Sequence, residues 1–238
     1  MNIDDIRKDF PQLKQGFIYF DSGATTLKPN PVIEAVTEFY ESLSANVGRG
    51  LHRPSHLATK AYDKAHDKVQ KFFNAKGEIV FTKNCTEAIN IVAHGLDWQP
   101  GDKVITTYLE HNANLLPWLN LRSRGIEVVV LKCAPDGTLN LKELQEAIDD
   151  KTKLVTVIHA SNVLGSIMPV EDITEIAKNK GAFVLIDGAQ AVPHLKVDFD
   201  AIGCDFYAAS GHKMLGPTGT GFLYIKSQSF EKLQPMLL

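Results

Sequence analysis

The sequence predicts an α/β protein: a mostly parallel sheet with one antiparallel strand and helices on both faces. Three observations predict it. Apolar, β-branched runs alternate along the chain with amphipathic, helix-like segments, the pattern of strand–helix–strand units. The strand-like runs are continuously apolar, as expected of strands covered on both faces. The last two runs break the pattern, because the link from Ser210 to Gly219 is glycine-rich and short. A parallel crossover needs roughly a dozen residues or more, usually with a helix, so these two strands are expected to be antiparallel.

Taken in order, the expected strands are "FIYFD" (17–21), "EIVF" (78–81), "KVITT" (103–107), "IEVVVLK" (126–132), "KLVTVIH" (153–159), "FVLID" (183–187), "DFYAAS" (205–210) and "GTGFLYI" (219–225). Helices are expected between most of them. "PVIEAVTEFYESL" opens on a proline, a favoured first-turn residue. "PSHLATKAYDKAHDKVQKFF" is long and amphipathic, and "TEAINIVAHGL", "NLKELQEAIDD" and "VEDITEIAKNKG" follow, the last closed by a C-cap glycine. There is no internal repeat, low-complexity tract or linker.

The 238 residues carry a net charge of −3 and no basic block, which argues against nucleic acid or an anionic membrane surface as a partner. The charged N-terminus does not read as a secretory signal, and no run has the length of a membrane span. The three cysteines, Cys85, Cys133 and Cys204, are odd in number and far apart. That argues against a disulfide framework or a zinc site and fits a reducing, cytoplasmic location. His52 and His56 flank Pro54 with no third ligand in view, so no metal is assigned to them.

In open sheets of this class, ligands bind beyond the carboxyl ends of the strands. Successive strand ends here are followed by Cys85 and Thr86, by His111, by Asn162, by Asp187 and Gln190, and by Ser210, His212 and Lys213. Each alone has an ordinary explanation: a cap, a turn or a solvated charge. Together they bring a carboxylate, two amides, imidazoles, hydroxyls and one amine to a single sheet edge. A lysine amine can condense with an aldehyde, and a carboxylate can hold a ring nitrogen protonated. Hydroxyls with backbone N–H groups at a helix start can bind a phosphate. That combination is the signature of pyridoxal 5′-phosphate. A nucleotide-binding reading has no support, since neither GxGxxG after a strand nor GxxxxGK[ST] occurs.

"YFDSGATT", "TKNCTEAIN", "LEHNANLLPW", "HASNVLG", "LIDGAQA" and "SGHKMLGPTGTGFLY" resemble, in order, the motifs of the class V aminotransferases. The nearest likeness is to the group II cysteine desulfurase and selenocysteine lyase type. The resemblance implies the large domain of the fold-type I pyridoxal-phosphate transferases. By matching position, Lys213 resembles the lysine that binds the cofactor covalently and acts as base, Asp187 the partner of the pyridine nitrogen, and His111 the histidine stacked on the ring. Gln190 and Asn162 resemble the contacts to the phenolic oxygen and its surroundings. Ser210, His212, Thr86 and the Cys85 backbone resemble the phosphate cup. Asp21 and Ala24 correspond to positions near the substrate entrance.

The sequence departs from the family's pattern at Cys85, where a threonine is common, at Asn112, where a second histidine often follows the first, and at Gly48. The resemblance implies a PLP-dependent cysteine desulfurase that converts L-cysteine to L-alanine and passes sulfur to an enzyme cysteine for iron–sulfur cluster assembly. It also implies a homodimer and a sulfur-acceptor protein. Residues 1–15 are expected to be an N-terminal segment that packs with a small C-terminal domain, and 16–238 the PLP-binding large domain. That small domain, with its sulfur-accepting cysteine and carboxylate-binding arginine, is expected to be absent from this chain. The alternatives are a selenocysteine lyase, another class V PLP enzyme, or a non-catalytic PLP-binding fragment.

Overall fold

A computed structural model describes residues 2–236. The chain opens with α1 (Ile3–Lys8), capped by the Asn2 side chain, which accepts from the Asp4 N–H at 3.1 Å. A 3-10 turn at Pro11–Gln15 follows, then an irregular strap, turned at 22–24, that leads into α2 (Asn30–Glu38). α2 continues as a π turn at Phe39–Leu43, and α3 (Arg53–Phe72) is the longest helix described. Its N-cap is His52, whose Nδ1 accepts from the Ser55 N–H; that ring has a structural task.

From there strands and helices alternate: β1 (Glu78–Thr82), α4 (Cys85–Gly95), β2 (Lys103–Thr107), α5 (Leu116–Leu121), β3 (Glu127–Leu131), α6 (Leu141–Ala147), β4 (Thr152–Ile158), α7 (Val170–Lys178), β5 (Phe183–Asp187), α8 (Phe199–Ile202), β6 (Phe206–Ser210), β7 (Gly221–Ile225) and α9 (Ser227–Phe230). The local signals act as their chemistry dictates. Asn84 caps α4 by accepting from the Glu87 N–H at 2.8 Å, and Glu87 reaches back to the Lys83 N–H at 2.6 Å, a variant of the capping box. Gly181 ends α7 in the left-handed region, and the Ala182 N–H reaches the Ala177 carbonyl at 3.1 Å, which is the Schellman closure.

The 7-stranded sheet runs β1-β7-β6-β5-β4-β2-β3. Only β7 runs against the others: it pairs antiparallel with β6 and β1, while the remaining pairs are parallel. Successive residues of the central strands serve opposite faces. Val184, Ile186, Tyr207 and Ala209 join a core under α6, α7 and α8. Leu185, Phe206, Ala208 and Leu223 join a second core with Ile89, Val92 and Trp118 of α4 and α5. Burial on both sides explains the continuous apolar runs, each large side chain stabilising the fold by about 1.5–3 kcal/mol. The α/β class and the antiparallel final pair therefore stand as the sequence indicates.

One expected strand does not form. Residues 17–21 take no regular secondary structure and pair with no strand among those described. Ile18 is 78% and Phe20 95% exposed, and Tyr19 turns its hydroxyl back onto the Thr25 carbonyl at 2.6 Å. An apolar run becomes a strand only where a neighbour offers a free ladder. The sheet's edges, β1 and β3, pair only with β7 and β2. No helix among the described residues is long and apolar enough to cross a membrane.

Candidate active site

The register of the sheet places the strand ends. Ile158 of β4 lies opposite Asp187 of β5, and Asp187 opposite Ala208 of β6. Two residues on, Ser210 lies opposite Gly221, which also faces Thr82 of β1. The carboxyl ends of β1, β4, β5 and β6 therefore share one edge. Above it lies a cavity of about 650 Å³, lined by Asp21, Ala24, Cys85, Thr86, His111, Asn162, Asp187, Gln190, Ser210, His212 and Lys213. Every candidate residue taken from the sequence faces this one space. Lys213 and Asp187, separated by β6 and its turn, meet in the same compartment.

The floor is buried and the mouth is open. Asp187, Ser210 and Cys85 are 3–4% exposed, whereas Asp21, Ala24, Thr86, His111 and Asn162 are exposed around the rim. Gly188 permits the turn at the floor, because a Cβ there would overlap the ring of Tyr207. Gly221 permits the approach of the α4 loop: its Cβ would sit 2.6 Å from the Ala209 carbonyl oxygen and 2.7 Å from Asn84 Cα.

The hydrogen bonds assign what each side chain has free. Asp187 Oδ1 accepts from the Ala189 N–H at 3.0 Å and from the Cys85 thiol at 3.2 Å. Oδ2 accepts from no group among the described residues. Because Asn84 caps α4, the Thr86 hydroxyl is not needed as a cap. Neither it nor the Thr86 N–H has a partner among the described residues, and both stand at the positive end of α4. The Cys85 N–H is already given to Ser210 Oγ at 2.8 Å, which leaves the Ser210 proton free to point elsewhere. His111 Nδ1 accepts from the Ala113 N–H at 3.1 Å, so the neutral ring carries its proton on Nε2. Gln190 Nε2 donates to the Gly23 carbonyl at 2.8 Å, tying the strap to the floor. The Lys213 amine makes no hydrogen bond or ion pair among the described residues.

Electrostatics separates the groups further. Burial, then the charge of Asp187, pushes the Cys85 thiol well above the usual range. Burial holds His212 below the ordinary histidine value, helped by the charges of Lys213 and Lys28.

Two arrangements were not legible in the sequence. The His212 carbonyl accepts from the Thr26 N–H at 2.9 Å, Thr26 Oγ1 at 3.0 Å, Thr25 Oγ1 at 3.2 Å and Lys28 Nζ at 2.8 Å. The strap thus clamps the peptide that precedes Lys213. Its only trace in the sequence is the polar run "TTLK" behind an apolar segment. The second is Glu110, buried beside His111. It accepts from Thr107 Oγ1 at 2.7 Å, Asn114 Nδ2 at 2.6 Å and the Ile158 N–H at 3.0 Å. Asn114 in turn accepts from Thr156 and Trp118. Burial outweighs these donors and lifts the Glu110 carboxyl to about 8. An acid in "LEHN" reads as a solvated loop charge until its neighbours are known.

Known proteins carry the same chain plan. The model of the family described as "Aminotransferase class-V" matches residues 18–238. A probable cysteine desulfurase of Methanothermobacter thermautotrophicus is 45% identical over 240 residues, covering 100% of this chain and 60% of that protein. The apo cysteine desulfurase of Thermococcus onnurineus NA1 superposes with a TM-score of 0.95 at 43% identity, covering 100% of this chain and 60% of that one. The cysteine desulfurase CsdA of Escherichia coli, in its S-sulfonic acid form, gives 0.90 at 37% identity, covering 100% and 61%. The chain thus spans about 60% of the length of the relatives it matches. A family match over nearly all of the chain, with like structures beside it, places the protein: it belongs to the aminotransferase class-V family.

Proposed function

We propose that the cavity binds pyridoxal 5′-phosphate and that the protein is a cysteine desulfurase, converting L-cysteine to L-alanine and passing the sulfur to a thiol acceptor. The observation that carries this reading is the meeting of Lys213, Asp187 and the N-terminus of α4 in one cavity of about 650 Å³, within the size range of small-molecule sites. The free groups fit the cofactor. Asp187 is a buried carboxylate with an oxygen to spare, suited to a ring nitrogen. Thr86, Ser210 and His212, at a helix N-terminus, suit a phosphate.

When bound, the cofactor supplies an aldehyde that condenses with amines and a protonated ring that accepts electron density. The chain's residues do the rest. Lys213 Nζ would hold the aldehyde carbon and, once freed by the incoming amino acid, take the proton from the substrate Cα. Asp187 would keep the ring nitrogen protonated. His111, Gln190 and Asn162 would hold the ring and its phenolic oxygen, and Asp21 and Ala24 lie at the entrance for substrate. The acceptor of sulfur must be a thiolate. Burial pushes the Cys85 and Cys204 thiols up, and Cys133 does not line the cavity. None of the three has that role.

The same reading assigns residues 16–238 to the cofactor-binding unit, with 1–15 as a segment that packs on a further domain. It takes the protein as a cytoplasmic homodimer that hands sulfur to an acceptor protein for iron–sulfur cluster assembly. Free cysteines suit that compartment. The test is to add the cofactor, record the visible absorbance, reduce with borohydride and locate the added mass. Attachment at Lys213, and its loss in Lys213→Ala, is the expected result; covalent retention in that variant overturns the reading. Alanine formed from L-cysteine or from L-selenocysteine, in the presence of a thiol acceptor, distinguishes the desulfurase from a selenocysteine lyase.

A further inference from the structure

We infer that Cys85 is a positioning residue: its thiol donates to Asp187 Oδ1 and turns that carboxylate so that Oδ2 faces the cavity. From the sequence, Cys85 belongs at the phosphate end through its backbone. The structure gives the two halves of the residue separate tasks. The N–H goes to Ser210 Oγ at 2.8 Å, and the sulfur lies 3.2 Å from the acid.

Three observations support the assignment. Asp187 is a carboxylate only 3% exposed, and such a group needs donors on at least one oxygen to remain charged. Both donors it finds, the Ala189 N–H and the Cys85 thiol, converge on Oδ1. The oxygen left over belongs to a residue that lines the cavity. The thiol is held in its donor form, since burial and the neighbouring carboxylate both oppose its ionisation. It therefore acts as a fixed hydrogen-bond donor and not as a nucleophile. An S–H group is a weaker donor than a hydroxyl, so it orients the acid through a weaker bond than a threonine hydroxyl at the same place would make.

The hydrogen bond rests on the geometry alone. Its consequence for a bound ring rests on the cofactor reading above, and the experiment separates the two. The S–H stretching band of Cys85 is isolated as the infrared difference between the protein and Cys85→Ala. A band at lower frequency than that of the half-exposed Cys133 thiol is expected; a band at the position of a free thiol overturns the assignment, whether or not any cofactor binds. Pyridoxal 5′-phosphate is then titrated into the protein, Cys85→Ala and Cys85→Ser, with circular dichroism confirming the fold of each. Loss of one hydrogen bond to a charged group predicts about tenfold weaker binding in Cys85→Ala, with recovery in Cys85→Ser. Equal affinity in all three proteins overturns the positioning role. Absence of binding in the unsubstituted protein overturns the cofactor reading and leaves the infrared result to decide the hydrogen bond.

Discussion

The floor of the cavity and the strap that crosses its mouth are built from similar residues and behave in opposite ways. "FVLID" and "FIYFD" are both apolar runs that end in an aspartate. The first becomes β5, paired on both sides by β4 and β6, with Leu185 and Ile186 fully buried. The second finds no ladder and leaves Ile18 and Phe20 in the open. The closing acids differ in the same way. Asp187 is oriented by two donors on one oxygen, whereas Asp21 stands exposed at the rim. An apolar run becomes a strand only when a neighbouring strand exists to pair with it, as even the edge strands β1 and β3 each have one.

The largest effect that tests this contrast lies in the floor. Leu185→Ala removes a fully buried side chain from the core beneath α4 and is expected to lower stability by about 2–5 kcal/mol in urea unfolding. Phe20→Ala in the strap should change it by less than about 0.5 kcal/mol. Equal effects would place the strap in the cooperative core.

Next come two glycines. Gly188→Ala drives a Cβ into the buried Tyr207 ring, whose hydroxyl lies 2.8 Å from His159 Nδ1, and overpacking of this kind costs about 1–3 kcal/mol. Gly23→Ala meets only Gln190 Nε2, at 3.8 Å, and should leave the melting temperature nearly unchanged.

Glu110 sharpens the comparison through pH. Its carboxyl, at 4.5 in the unfolded chain, is lifted to about 8 on folding. The native state therefore binds the extra proton between those values. The stability it contributes is complete below about 4.5 and is lost as pH rises through 8. Unfolding free energies measured across that window should decline with pH, and Glu110→Gln should flatten the decline. Because Asn114 Nδ2 and the Ile158 N–H both donate to this site, the glutamine NH₂ would face a donor, at a cost of about 1–3 kcal/mol at the acid end. A slope unchanged by the substitution would remove Glu110 as its source.

The smallest effect separates the thiols. Iodoacetamide should modify Cys133, which is half-buried, and spare Cys85 and Cys204, which are buried and held protonated. Mass spectrometry of the folded protein reads this directly, and rapid modification of Cys85 would show a floor that opens.

Most of the fold was legible because its signals are local. Continuous apolar runs marked β1 to β7, Gly181 marked the end of α7, and the short link before Gly219 marked the antiparallel pair. Helices α1, α5, α8 and α9 were not read; they are only 4–6 residues long, too short to show a period. The assembly of candidate residues in one cavity was legible because strand ends of a parallel sheet share an edge. The tasks of the individual atoms were not, since those depend on which partner occupies which lone pair.

By itself, the sequence determined which segments are apolar enough to be strands, where they stop, and so which polar side chains reach the sheet edge: properties of near neighbours along the chain. Only the tertiary structure decided that Cys85 serves Asp187, that Glu110 is buried, that the strap clasps the His212 carbonyl, and that residues 17–21 stay outside the sheet. Each of those depends on a partner distant in sequence. Burial, hydrogen-bond geometry and ladder pairing exist only once both partners are in place.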